Sequence, residues 1–329
     1  MEDMKEKYKE VIEQINGGSR FMVVSHVNPE GDAIGSLLGL ALALRNIGKD
    51  AVAYMEDPMP DLFRFMPGGD TIVHDLSNEA PFDATFAVDC GQKERLGERF
   101  NEFASHGTLV NIDHHATNDS FGDVNVVQGD ASAAGEMVFD LLRAAGIEIT
   151  KDVAINLYVA IHTDTGCFRY SCSTPGAFKK AGELVELGAD PWEISTYVYE
   201  NQPLDRYKLL AMSLATLTVI NDGDIKVASL DVTQEMLEKV EGSGSELADG
   251  FVNFARSISD VEVGILFREN SPGFFKMSMR SKGKVDVAAL AASFGGGGHR
   301  NAAGFCIEAP LDEVKAKVKE AISKQLKVA

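Results

Sequence analysis

His26, Glu30 and Asp32 lie within one short stretch, SHVNPEGDAIGS, residues 25–36, between an apolar run at 21–24 and another at 37–42. The first run is short and bounded and predicts a buried strand, whereas the second has helical length. A strand-to-helix turn at the carboxyl edge of a parallel sheet is where α/β proteins place ligands. Neither GxxxxGK(S/T) nor GxGxxG occurs at this turn, which disfavours a nucleotide held by backbone glycines. One imidazole with two carboxylates suits a divalent metal such as Mn²⁺ or Zn²⁺. A plain polar turn after a strand has the same composition, so this stretch alone leaves both readings open.

The pattern returns at two further strand ends. The run 84–88 ends in Asp89-Cys90-Gly91, and the run 108–112 ends in Asp113-His114-His115. Alone, Asp113 also reads as a turn cap followed by solvent-exposed histidines. Three strand ends carrying metal-type side chains favour a shared site. Asp164 is a fourth carboxylate, expected in a turn after the apolar positions of 152–161, where it also suits capping. His162, two residues earlier, is expected to pack or to support from behind. The stretch GGGGHRNAAG, residues 295–304, is chemically distinct. Its glycines let backbone amides approach an anion, and His299 and Arg300 add donors. Arg280, Lys282 and Lys284 form a nearby basic group in sequence. A flexible turn is the plainer reading of the glycines.

These residues need elements to position them. Strands are expected at 21–24, 51–54, 84–88 and 108–112, with helices at 32–47, through Arg95 and Phe100, at 132–145 and at 152–161. An amphipathic helix is expected at 5–16. Consecutive helices at 176–187, 191–200 and 204–215 carry no chemical motif and connect two lobes. Strands at 217–221, 225–230, 262–268 and 274–280, then a helix at 311–326, describe a second α+β domain. The predicted organisation is a catalytic α/β domain at 1–190, with a parallel sheet and helices on both faces. A helical linker follows at 191–216, then a smaller α+β domain at 217–329.

Composition limits the function classes. The chain has 329 residues, 45% hydrophobic and 25% charged, as expected for a globular protein of two domains. A net charge of −19 argues against wrapping a long nucleic acid, which needs a basic surface that releases counterions. Short anionic substrates stay open, because bound cations reverse the local sign. No apolar run has membrane-spanning length, and the opening MEDMKEKYKEVIEQ reads as a charged helix rather than a signal peptide. Cys90, Cys167, Cys172 and Cys306 form no paired framework, so reduced thiols in a cytoplasmic setting are expected.

Taken together and in order, these motifs resemble the DHH phosphoesterase family, named for the residues matching Asp113-His114-His115. The GGGH run with Ala302-Ala303-Gly304 is similar to the DHH-associated C-terminal domain. The resemblance extends over nearly the whole chain and is nearest to the NrnA-type branch, bifunctional oligoribonucleases that also dephosphorylate pAp. It implies two divalent ions, Mn²⁺ foremost with Mg²⁺ or Co²⁺ as alternatives. Their ligands would be His26 and Glu30 for one ion and Asp32, His114 and Asp164 for the other, with Asp89 between. Glu30 departs from the family pattern, which has aspartate there; its extra methylene alters the geometry of the first site rather than the chemistry. Paired ions supply the positive charge and activated water that hydrolysis of a phosphodiester needs. His115 is assigned to the substrate side, as donor to a phosphoryl oxygen or general acid, and Asp113 to orienting an imidazole. Arg280, Ser281, Gly297, Gly298, His299 and Arg300 would hold a terminal phosphate or a base edge. The implied substrates are RNAs of two to five nucleotides and pAp, with no long duplex and no membrane, and a homodimer is compatible. Cyclic di-AMP or pApA hydrolysis is the alternative enzyme, and a nucleotide-binding module without catalysis the alternative from another class.

Overall fold

A computed structural model describes residues 6, 8–222, 225–240 and 245–328. The chain divides into two compact units, Met1–Asn201 and Gln202–Ala329.

The first unit begins with α1 (Lys9–Gly17), β1 (Arg20–Val24), α2 (Gly31–Asn46), β2 (Asp50–Tyr54) and β3 (Ala84–Val88). It continues with α3 (Glu98–Glu102), β4 (Thr108–Asp113), β5 (Val124–Val127), α4 (Ala134–Ala145), α5 (Lys151–Asp164), α6 (Pro175–Glu186) and α7 (Pro191–Ser195). The five strands form one sheet in the order β2-β1-β3-β4-β5, and every pairing is parallel. Side chains alternate across the pleat. Phe21, Val23, Phe86, Val88, Val110 and Ile112 enter the larger core with α1, α2, α4 and α5. Met22, Val24, Ala87 and Leu109 face the other layer, where Leu96 and Phe100 pack. Both faces are therefore covered, which is why these strands read as continuous apolar runs.

The packing of α2 against α5 matters most for the chemistry. A Cβ on Gly35 would lie 2.4 Å from the Asn156 carbonyl oxygen, so only glycine permits this approach. The pairing brings the start of α2, with Asp32, beside the end of α5, with Asp164.

Several expected boundaries move, each for a local reason. The helix expected through Arg95 and Phe100 is broken into a 3₁₀ turn, Lys93–Leu96, and α3. Gly97 separates them at φ +102°, and the distant Glu56 carboxylate accepts the N–H groups of Glu98 and Arg99. Asp164 was expected in a turn but is the last residue of α5, because the helix continues three residues past its apolar run. The helix expected over 191–200 ends at Ser195 and passes into a π-helical turn, Thr196–Glu200. Strand β5 carried too short a pattern to anticipate. Of the helix expected at 5–16, residues 5 and 7 lie outside the described residues.

The second unit contains α8 (Leu204–Leu214), β6 (Thr218–Asp222), β7 (Ile225–Val232), α9 (Gln234–Glu238), α10 (Val252–Ser257) and β8 (Val261–Ser271). It ends with β9 (Phe274–Ser281), α11 (Val287–Ala292), β10 (Gly297–His299), β11 (Ala302–Glu308) and α12 (Leu311–Val328). Its sheet runs β10-β11-β9-β8-β7-β6, with only β7 and β8 parallel. One face packs Ile265, Met277, Met279 and Phe305 against Leu290, Val314, Val318 and Ile322. The other packs Ala228, Leu230 and Leu266 against Leu209, Phe251 and Val252. The division at Asn201 leaves α7 with the first unit and α8 with the second. No helix among the described residues is long and apolar enough to cross a membrane.

Candidate active site

Strand register levels the reactive side chains. Val24 of β1 pairs with Ala87 of β3, and Val88 of β3 pairs with Ile112 of β4. Two steps past the first pair stand His26 and Asp89; one and two steps past Ile112 stand Asp113 and His114. All leave the sheet at its carboxyl edge, the position a parallel sheet offers to ligands.

Two sets of three side chains converge there. The ligating atoms of His26, Glu30 and Asp89 lie within 4.8 Å of one another, as do those of Asp32, His114 and Asp164. Asp89 reaches both sets, its Oδ2 being 3.5 Å from His26 Nε2 and its Oδ1 3.4 Å from His114 Nε2. His114 Nε2 is also 3.6 Å from Asp32 Oδ2 and 3.6 Å from Asp164 Oδ2. Asp89 adopts φ +53°, a left-handed conformation that aspartate tolerates better than most residues. Both of its oxygens are buried, and neither has a hydrogen-bond partner among the described residues. A buried carboxylate left so costs several kcal/mol of desolvation, and a cation at each oxygen would offset it. The donor set, imidazole nitrogens with carboxylate oxygens, fits divalent transition metals.

Neighbouring groups aim these ligands. His26 Nδ1 lies 2.8 Å from the Val27 carbonyl, and His114 Nδ1 lies 3.3 Å from that of Ala131. A carbonyl only accepts, so in the metal-ligating form each ring holds its proton on Nδ1, and the Nε2 aimed toward Asp89 is the ligand atom. Asp32 accepts the N–H of Ala134 at 2.7 Å and of Gly135 at 2.9 Å, in the first turn of α4, and the Ser36 hydroxyl at 2.8 Å. A helix N-terminus favours a carboxylate placed so.

The electrostatics are those of crowded acids. Burial, with Asp89 nearby, pushes Asp32 up to about 7, against the pull of His114 and the two N–H groups. Burial likewise holds Asp164 well above the carboxylate range, with Asp32, Glu30 and Asp89 adding to it. Burial opposes the charged form of Asp89, but the imidazoles of His114, His26 and His115 outweigh it and hold this carboxyl well below the usual range. Carboxylates compete for too few protons, a conflict that bound cations resolve.

Asp113 and His115 form a pair beside Asp89, whose Oδ1 lies 3.7 Å from His115 Nδ1. Asp113 Oδ1 lies 2.7 Å from His115 Nδ1, and its Oδ2 accepts from Asn118 Nδ2 at 2.6 Å. Asn118 also bonds Asn111 Oδ1 at 2.8 Å, and Asn111 donates to the Cys90 carbonyl at 3.0 Å. Burial alone would lower the His115 proton affinity; Asp113 and Asp89 reverse the direction. Neither asparagine was singled out from the sequence, although a polar Asn111 inside an apolar strand was a signal. His162 stays apart, stacked on Tyr158 with ring centroids 5.4 Å apart, and burial pushes it down to about 4.

In the second unit the expected phosphate-side residues occupy adjoining strands. Across the sheet, His299 pairs with Ala302 and Ala302 with Arg280, so the imidazole and the guanidinium stand in one row. Gly297 and Gly298 pair with Gly304 and Ala303, so the second half of the glycine run is a β-hairpin strand, while Gly295 lies in the turn before it at φ +78°. Gly298 stands at φ +139°, and a Cβ there would lie 2.4 Å from the Ala302 carbonyl oxygen. Ser281 is buried; its hydroxyl donates to Glu262 at 3.2 Å and accepts the Gly283 N–H at 2.9 Å. Arg280 Nη1 donates to the Met279 carbonyl at 3.0 Å, and Arg300 is exposed.

Residues 20–161 match the DHH family, N-terminal domain, and residues 230–327 match the DHHA1 domain. A relative from Thermus thermophilus, named bifunctional oligoribonuclease and PAP phosphatase NrnA, is 32% identical over 318 residues, 96% of this chain and 93% of its own. The protein of the same name from Bacillus subtilis is 29% identical and covers 91% of this chain and 92% of its own. The crystal structure of an exopolyphosphatase-related protein from Bacteroides fragilis superposes with a TM-score of 0.89 at 29% identity, covering 98% of this chain and 97% of that one. On the matched domains and on likeness along nearly its whole length, the chain belongs to the DHH family.

Proposed function

We propose that this chain is a metal-dependent phosphoesterase that hydrolyses short oligoribonucleotides to mononucleotides and converts pAp to AMP. The observation that carries this reading is Asp89, a buried carboxylate whose two oxygens accept no hydrogen bond among the described residues and lie between two sets of imidazole and carboxylate side chains. Asp89 would bridge two divalent ions, Mn²⁺ foremost. His26 and Glu30 would complete one site, and Asp32, His114 and Asp164 the other. When bound, such ions activate water near neutral pH and stabilise charge on attacking and leaving oxygens.

The side chains do the rest. His115, its Nδ1 proton directed to Asp113, presents Nε2 for a phosphoryl oxygen or for proton transfer at the leaving oxygen. Asn118 holds the second oxygen of Asp113, so the pair keeps one orientation. In the second unit, Arg280 and His299 share a row, and Arg300, Gly297 and Gly298 lie on or beside the same hairpin. These five are the phosphate- and base-recognition residues of the proposal, and Ser281, bonded to Glu262, shapes the turn that follows Arg280. The T. thermophilus and B. subtilis relatives carry names with both activities, which supports the substrate range.

The test is turnover of pAp, pApA, cyclic di-AMP and a long single-stranded RNA by purified protein with Mn²⁺. Preference for pAp and the dinucleotide is expected. Rapid cleavage of the long RNA without preference for dimers contradicts the short-substrate reading, and comparable turnover of cyclic di-AMP shifts the assignment to cyclic dinucleotides.

A further inference from the structure

Arg95 stands beside the first ligand set without a carboxylate of its own. It belongs to the 3₁₀ turn Lys93–Leu96, and its carbonyl accepts the Val27 N–H at 2.7 Å, which fastens the turn to the residue after His26. Arg95 Nη2 lies 3.2 Å from His26 Nδ1. That ring nitrogen gives its proton to the Val27 carbonyl 2.8 Å away. A guanidinium only donates and a carbonyl only accepts, so Nδ1 cannot serve both; in the tautomer that gives the Nδ1 proton to Val27 and leaves Nε2 bare for a cation, His26 offers Arg95 no acceptor. Among the described residues Arg95 makes no ion pair.

The chain carries 50 acidic residues against 31 basic ones, so a half-buried arginine without a carboxylate partner is a position kept for another anion. The planar fork of a guanidinium matches the non-bridging oxygens of a phosphate, which a carboxylate-rich site otherwise repels. We infer that Arg95 is a phosphate-binding residue of the first unit, donating to a non-bridging oxygen of the substrate phosphate beside His26. The inference rests on the phosphoesterase reading and adds to it a cation from outside the second unit.

The test compares the full-length wild type with Arg95→Gln and Arg95→Lys, all loaded with Mn²⁺. Steady-state kinetics on pAp and pApA give kcat and KM, and calorimetry gives the Kd for AMP and for Mn²⁺. Loss of one charge-assisted contact raises KM and the AMP Kd by about tenfold to a hundredfold in the Gln variant. Mn²⁺ affinity stays unchanged, and Lys recovers part of the loss. Unchanged KM and AMP Kd overturn the inference. Weakened Mn²⁺ binding with unchanged AMP binding also overturns it, making Arg95 a support for His26. If Gln prevents folding, the Lys variant carries the same test through its smaller rise in KM. If the wild type turns over neither substrate, the phosphoesterase reading fails, and AMP binding alone decides Arg95.

Discussion

Asp113 Oδ1 lies 2.7 Å from His115 Nδ1, and the other oxygen of the same carboxylate is held by Asn118 at 2.6 Å. The carboxylate thereby takes the Nδ1 proton of the imidazole and sets the ring's orientation, with Nδ1 3.7 Å from Asp89 Oδ1.

Asp113→Asn removes that control without changing the side-chain volume. An amide can present its NH₂ to His115 and favour the wrong tautomer, so kcat falls by about a hundredfold to ten-thousandfold while KM changes little. Steady-state kinetics on pApA check this. A loss confined to KM places His115 in ground-state binding instead.

The approach of α2 to α5 is equally testable. Gly35→Ala puts a methyl group where the Asn156 carbonyl oxygen is 2.4 Å away. Overpacking of this kind costs about 1–3 kcal/mol, and it also shifts Asp32 relative to Asp164. Denaturant unfolding and Mn²⁺ titration should both weaken. Intact metal affinity in a destabilised variant would show that the two carboxylates adjust independently of the helix spacing.

Crowded acids predispose the metal-free protein to instability. Asp164→Asn removes one buried carboxylate that its neighbours disfavour. After chelation this variant should melt above the chelated wild type, and adding Mn²⁺ should stabilise it less. Equal melting temperatures in chelator would mean that the acids do not strain the empty fold.

Away from the site, Lys180 joins Glu136 at 2.7 Å and Asp140 at 2.8 Å, locking α6 to α4. Removing one member of a largely buried ion network leaves the others uncompensated, so Lys180→Met should cost about 3 kcal/mol in unfolding free energy. Burial opposes ionisation of Glu136, but Lys180 and Ser132 lower its pKa below the ordinary value. The stabilisation is therefore present above the unfolded-state pKa of about 4.3 and is lost as pH falls through the lowered folded value. Unfolding measured against pH in Glu136→Gln should lose that acid-side slope; an unchanged slope places it on another group.

Four of the five parallel strands are legible because each is a short, largely buried apolar run, and His26, Asp89 and His114 follow because a strand end marks a sheet edge. What escaped depends on distant partners. Gly97 is a local hint of the break, but the cap that restarts the helix is the Glu56 carboxylate, more than forty residues earlier in the chain, which no local pattern announces. The apolar pattern stops at Ile161 and so predicts a turn at Asp164, yet the helix runs to its end on polar residues. Asn118 joins Asp113 through a loop whose course no periodicity encodes. The glycine run at 295–298 was visible, but its pairing with β11 is set by the rest of the sheet.

The central claim is that Asp89 joins two cation sites. Anomalous diffraction from crystals grown with Mn²⁺ measures this directly. Two peaks in contact with Asp89 are expected, one shared with His26 and Glu30 and the other with Asp32, His114 and Asp164. No peak within ligand distance of Asp89 at saturating Mn²⁺, or a single ion that leaves one set untouched, would contradict it.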